Sequence, residues 1–215
     1  MTDDDDSFME PVPGYWRALG KFLHQFARLE RTLHFTLHHF AGVNYPMAQA
    51  MFSGLRADAC ISAINRILDA AENDHAIERL KGPLDQAGLI NSARNNIIHW
   101  GAFPTAADEL ISINDFLAHS PEKLRSIPVT CEILDDLQSD TLKIMTHLLA
   151  ETSEWIAGQT YEQMMKEILE RAWRYRLPPQ PPHLPSILAH LRERKLRRGA
   201  SRRSRRKAAP AKKPS

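Results

Sequence analysis

From Tyr15 to Phe40 the chain places Tyr15, Leu19, Phe22, Phe26, Leu29, Leu33, Leu37 and Phe40 three or four residues apart. At about 100° per residue these positions fall on one stripe, which predicts a long amphipathic helix with one buried face. Such a stripe must be covered by other elements, and that requirement points to a helical bundle. Ala41-Gly42-Val43-Asn44 ends the pattern. A second helix is predicted from about Pro46 to Ala71, with the proline near its first turn and Met47, Ala50, Gly54, Ile61, Ile64 and Leu68 on its stripe. A third segment runs from about Asp74 to Trp100. Gly82-Pro83 predicts a break in it, and Leu84, Ala87, Ile90, Ala93, Ile97 and Trp100 form the buried side of its second half.

Between Gly101 and Pro128 the helical period is lost. Glu109 to Asn114 alternates apolar and polar residues as a strand does, and Ser126 to Thr130 supplies a partner for a small hairpin, its Pro128 marking an edge. Thr130 then reads as an N-cap, with Glu132, Asp135 and Asp136 as first-turn acids of a helix reaching about Ile156. A shorter amphipathic helix is predicted from Tyr161 to Arg176. The fold class is therefore all-α: a bundle of four to five helices with a small β-hairpin insert and a basic disordered C-terminal tail. Residues 1–12 are an acidic flexible lead-in, 13–176 the helical domain, 177–186 a Pro-rich linker, and 187–215 a basic helix and tail.

Composition narrows the function classes. No apolar run approaches the roughly 20 residues of a membrane-spanning helix, so no membrane partner is expected. The start, Thr2 followed by Asp3 to Asp6, is the opposite of a basic signal-peptide start, and the expected location is the cytoplasm. Cys60 and Cys131 are the only cysteines, which offers neither a disulfide framework nor a zinc ribbon. The net charge of +2 hides an asymmetry: from Arg192 onward twelve Lys or Arg face Glu193 alone, giving +11 and leaving −9 for residues 1–191. Within that tail Arg197, Arg198, Arg202, Arg203, Arg205, Arg206 and Lys207 form the densest run of charge, suited to nucleic-acid phosphates but carrying no sequence preference. The same run also suits contact with the acidic body or a purely solubilising end.

The chemistry-bearing string is Arg94-Asn95-Asn96-Ile97-Ile98-His99, set late in an otherwise apolar helix. Five residues along a helix turn about 140° and rise about 7.5 Å, so Arg94 and His99 are not side by side. Asn95 and His99 are i and i+4, a spacing at which the amide can orient the imidazole. Arg94 shares its helix side with Ile90, Ile97 and Gly101, and a guanidinium directed inward needs an anionic partner. Glu30 falls inside the apolar arc of the first helix, and Asp58 interrupts the second stripe with Asn65 near it. Either acid is a candidate brace for Arg94.

This string resembles the Arg-x4–6-His motif of the HEPN family, in which the residue after the arginine is polar; here Asn95 fills that slot. The resemblance covers roughly residues 15–157. Where family members commonly carry glycine after the histidine, this chain has Trp100 and then Gly101. The resemblance implies a HEPN-like bundle, a homodimer whose two motifs meet in a cleft, and a metal-independent endoribonuclease. It implies RNA as substrate and products with 2′,3′-cyclic phosphate ends. It also implies a toxin or defence role, with an antitoxin or other protein as partner. In that chemistry His99 is the general base on the ribose 2′-OH, Arg94 stabilises the charged transition state, and Asn95 positions substrate or imidazole. Neither a cofactor nor a metal is called for. The family also contains inactive members, so a non-catalytic dimeric module that binds RNA or a protein, with Arg94 as a brace, stays open. So does a bundle that only dimerises while the basic tail binds nucleic acid.

Other features read more plainly. His34 and His38 are i and i+4 with His39 adjacent, a metal-compatible spacing, but no third ligand is evident and both lie off the apolar stripe. If Glu30 faces the cleft, His34 lines its rim. Met164, Met165, Ile168, Leu169 and Trp173 form a packing stripe, and Trp173 to Arg176 mixes aromatic and basic groups as a packed helix end or a base-stacking patch does. No Gly-rich phosphate loop, nucleophile elbow or Walker lysine occurs.

Overall fold

The computed structural model describes residues 13–104, 110–114, 126–152 and 159–177. The first helix, α1, spans Tyr15–Ala41 and buries Phe22, Phe26, Leu29, Leu33 and Leu37 fully, as its stripe predicts. Gly42 ends it in the left-handed region at φ 61°, where its N–H reaches the carbonyl of His39. The second predicted helix is two. Helix α2 is Tyr45–Phe52, capped by the Asn44 side chain, and α3 is Ala57–Ala70. Gly54, placed on the stripe by spacing, instead takes φ 81° and turns the chain between them. Consequently Met47 is exposed, and Ala57, Cys60, Ile64 and Leu68 carry the buried face.

Helix α4, Asp74–Trp100, runs unbroken through Pro83, against the break expected there. A proline inside a helix forfeits a hydrogen bond and costs roughly 3 kcal/mol. Here Leu80, Pro83, Leu84 and Ala87 are all buried, and α4 packs on both α3 and α5, so apolar burial on both sides of the ring offsets that loss. A small sheet follows, of β1 Phe103–Pro104, β2 Leu110–Ile113 and β3 Ser126–Pro128, antiparallel in the order β1-β2-β3. Pro128 pairs with Ile111 on the edge strand, as expected. The expected wet face of β2 is missing. All four of its residues are buried, and the Ser112 hydroxyl donates to the Asn96 carbonyl at 2.9 Å, tying the sheet to the end of α4.

Helix α5, Cys131–Thr152, lies along α1 and closes the core. Thr130 caps it as predicted, its Oγ1 accepting from the Ile133 N–H at 3.2 Å. Thr130→Ala should cost about 1 kcal/mol in a denaturant titration. An unchanged midpoint would show that the cap contributes nothing. The last described helix, α6, is Gln159–Glu170, making six helices among the described residues where four to five were expected.

The helix predicted to Arg176 stops at Glu170 because the next residues have other partners. The Arg171 carbonyl accepts from Lys143 Nζ. The N–H groups of Arg174 and Tyr175 both donate to the fully buried Asp140 carboxylate, at 3.0 and 2.9 Å. Gln86 Nε2 joins them at 3.0 Å from Asp140 and also donates to the Tyr175 carbonyl. Residues 171–177 thus form an extended strap over α4 and α5. Trp173 in this strap lies under Lys143, with Nζ 4.2 Å from its ring centre, and beside His147. Burial, then the charges of Lys143 and Arg79, pushes the His147 imidazole down to about 4. The aromatic–basic run from Trp173 to Arg176 is therefore a packed strap, with Tyr175 buried. The acidic lead-in, the Pro-rich linker from residue 178 and the basic tail lie outside the described residues, as do positions 105–109, 115–125 and 153–158.

The end of helix α4 as a candidate functional site

The last two turns of α4 carry the Arg94–His99 string. Arg94 is half-buried. Its Cζ stands 5.2 Å from the centre of the Phe26 ring on α1, and Nη1 donates to Asn95 Oδ1 at 3.0 Å. Its Nε is buried and has no partner among the described residues. His99 is exposed in the final turn, at the helix end where a cation is favoured. Gly101, at φ 66°, then turns the chain away into the sheet.

The structure brings Arg94 and Asn95 together and leaves His99 apart. The expected Asn95–His99 contact is absent among the described residues; Asn95 gives its oxygen to the guanidinium instead. Sequence spacing could not separate these outcomes, since an asparagine side chain reaches either neighbour. Asn96 is buried with Nδ2 unpartnered among the described residues, and its carbonyl holds Ser112.

The expected carboxylate brace is also absent. No ion pair joins Arg94 to Glu30 or Asp58 among the described residues. Glu30 is half-buried on α1, and Asp58 is exposed in the first turn of α3. Both instead act on Cys60: burial first, then the charges of Glu30 and Asp58, pushes its thiol up to about 11. His34 belongs to this seam, with Nε2 3.0 Å from the Leu55 carbonyl and 3.8 Å from Cys60 Sγ. Both acids were read as inward because each falls within an apolar arc. They lie at the α1–α3 seam, while Phe26, read as plain core, is what Arg94 rests on.

The result is a guanidinium partly withdrawn from water with no carboxylate against it among the described residues. Such a group favours an anion from outside, and a phosphate oxygen fits its donor geometry. No group of three or more His, Cys, Asp or Glu arranged to hold a metal ion occurs among the described residues. None of their helices is long and apolar enough to cross a membrane. Comparisons with family models, curated proteins and solved structures find no match to this chain.

Proposed function

We propose that this protein is a HEPN-like, metal-independent endoribonuclease acting as a homodimer. The observation that carries the reading is the half-buried Arg94 without a carboxylate partner among the described residues, five residues before an exposed His99. Arg94 takes the scissile phosphate, and its Asn95 and Phe26 contacts limit the orientations of the fork. His99 removes the ribose 2′-OH proton, and the 2′-oxygen attacks phosphorus. His99 of a second copy protonates the departing 5′-oxygen, leaving a 2′,3′-cyclic phosphate and a free 5′-hydroxyl. Because Arg94 and His99 are offset by about 140° on one helix, a second copy of the motif is the natural way to surround the phosphate. Ile98 and Phe103, 43% and 41% exposed and within four residues of His99 in the chain, offer apolar surface for that contact. The basic tail residues Arg197 to Lys207 would add affinity for RNA without choosing its sequence.

The test is RNA cleavage in EDTA by wild type and His99→Ala, with analysis of fragment ends. Cyclic-phosphate ends are expected, with a loss of about 10²–10⁴-fold in the variant. Equal cleavage by both, at matched circular dichroism, would remove His99 from the chemistry and favour the non-catalytic binding module.

A further inference from the structure

Away from the α4 end, α1 and α2 border a half-open cavity of about 290 Å³. It lies about 130° round α1 from Phe26 and about 13 Å further along the helix axis, so it is separate from Arg94. Its size falls just under that of small-molecule sites, which start at roughly 300 Å³.

Its walls have two characters. Phe35, Tyr45 and Phe52 are aromatic; Phe35 and Tyr45 are 48% and 60% exposed although both line a concave site. Arg31, His34 and His38 are basic, and no carboxylate lines the cavity among the described residues. Arg31 stacks on Phe35, with Cζ 5.4 Å from the ring centre, and forms no ion pair among the described residues. Each imidazole is fixed by its Nε2, His34 to the Leu55 carbonyl at 3.0 Å and His38 to the Val43 carbonyl at 2.8 Å. A carbonyl can only accept, so each Nε2 carries the proton. That leaves each Nδ1 as an acceptor in the neutral ring and a donor in the charged one. Tyr45 packs edge-on to His38, and its hydroxyl accepts from Gln49 Nε2 at 3.3 Å.

We propose that this α1–α2 cavity binds one nucleotide unit, with the base stacked against Tyr45 and Phe35 and the phosphate held by Arg31 beside His34 and His38. An aromatic face, a fixed cation and acceptors for ribose hydroxyls are the three needs of a nucleoside monophosphate. Nothing in this argument depends on the ribonuclease reading. The same chemistry is offered by a free mononucleotide and by one residue of single-stranded RNA.

The test is isothermal titration of the full-length chain with adenosine 5′-monophosphate, adenosine and inorganic phosphate, and of His99→Ala with a short oligoadenylate. Tyr45→Ala and Arg31→Gln are the variants, both at exposed positions where the fold should survive. Binding of the monophosphate, weakened about 10-fold by either variant, is expected and identifies a free nucleotide as sufficient. Binding of the oligonucleotide alone, weakened by the same variants, supports the site with an RNA residue as its ligand. Three results overturn the proposal: no binding of either, phosphate or adenosine binding as tightly as the monophosphate, or binding indifferent to both variants. Cleavage assays on His99→Ala report on the α4 site alone, so either reading can fail without the other.

Discussion

Asp140→Ala is expected to lower the unfolding free energy by about 3–5 kcal/mol. The carboxylate is fully buried and takes hydrogen bonds from Gln86 Nε2 and from the Arg174 and Tyr175 backbone N–H groups. Removing it leaves those donors facing a void, and each buried unmade bond costs about 1–3 kcal/mol. Lys143 and Arg171 would also lose the nearby anion that favours their charged forms against the cost of burial. Asp140→Asn keeps the volume and one acceptor oxygen, so its loss should be smaller. Guanidinium titration measures the global effect, and amide hydrogen exchange at Arg174 and Tyr175 measures the strap. Fast exchange there with α1 amides still protected would show that Asp140 holds the strap onto a bundle that stands without it. Unchanged protection at both amides would refute the clamp.

Asp140 was not legible in the sequence, and the reason is physical. It follows Glu132, Asp135 and Asp136, which read as first-turn acids behind Thr130, and besides Gln86 its partners are backbone groups 34 and 35 residues downstream. Backbone donors leave no residue-type signal. Side-chain periodicity, by contrast, fixed α1 from Tyr15 to within a residue of its end, because packing of one apolar stripe decides that element. The same periodicity ran straight through Gly54, since spacing registers where a residue lies on a helix but not whether its φ stays helical. Pro83 erred in the opposite direction: the local signal for a break was real, and burial on both sides outweighed it. At the candidate site, the apolar setting of Arg94 was readable, but its neighbour was not. A half-buried guanidinium can rest on a carboxylate or on an aromatic face, and Phe26 looked like any other core residue.

If the proposed ribonuclease chemistry holds, Arg94→Ala should cost little stability and nearly all activity, and that division separates a catalytic arginine from a brace. The protein loses a contact with the Phe26 face, worth roughly 0.5–2 kcal/mol, and a hydrogen bond to Asn95 on the neighbouring residue. No buried carboxylate among the described residues is left unpaired, so the 3–5 kcal/mol typical of a broken buried ion pair should not be seen. On the proposed mechanism the variant also loses the charge that stabilises the phosphorane, which should lower kcat/KM for RNA by about 10²–10³-fold. Arg94→Lys sharpens the contrast. It keeps the charge but loses the planar fork and the stack on Phe26, so it should fold like wild type and still cleave at least about 10-fold more slowly. Denaturant midpoints and kcat/KM measured on the same preparations decide the matter. If Arg94→Ala loses 3–5 kcal/mol and Arg94→Lys recovers stability and activity in proportion, Arg94 is a structural brace. If stability holds while activity falls, the guanidinium resting on Phe26 is there for a phosphate that arrives with the substrate.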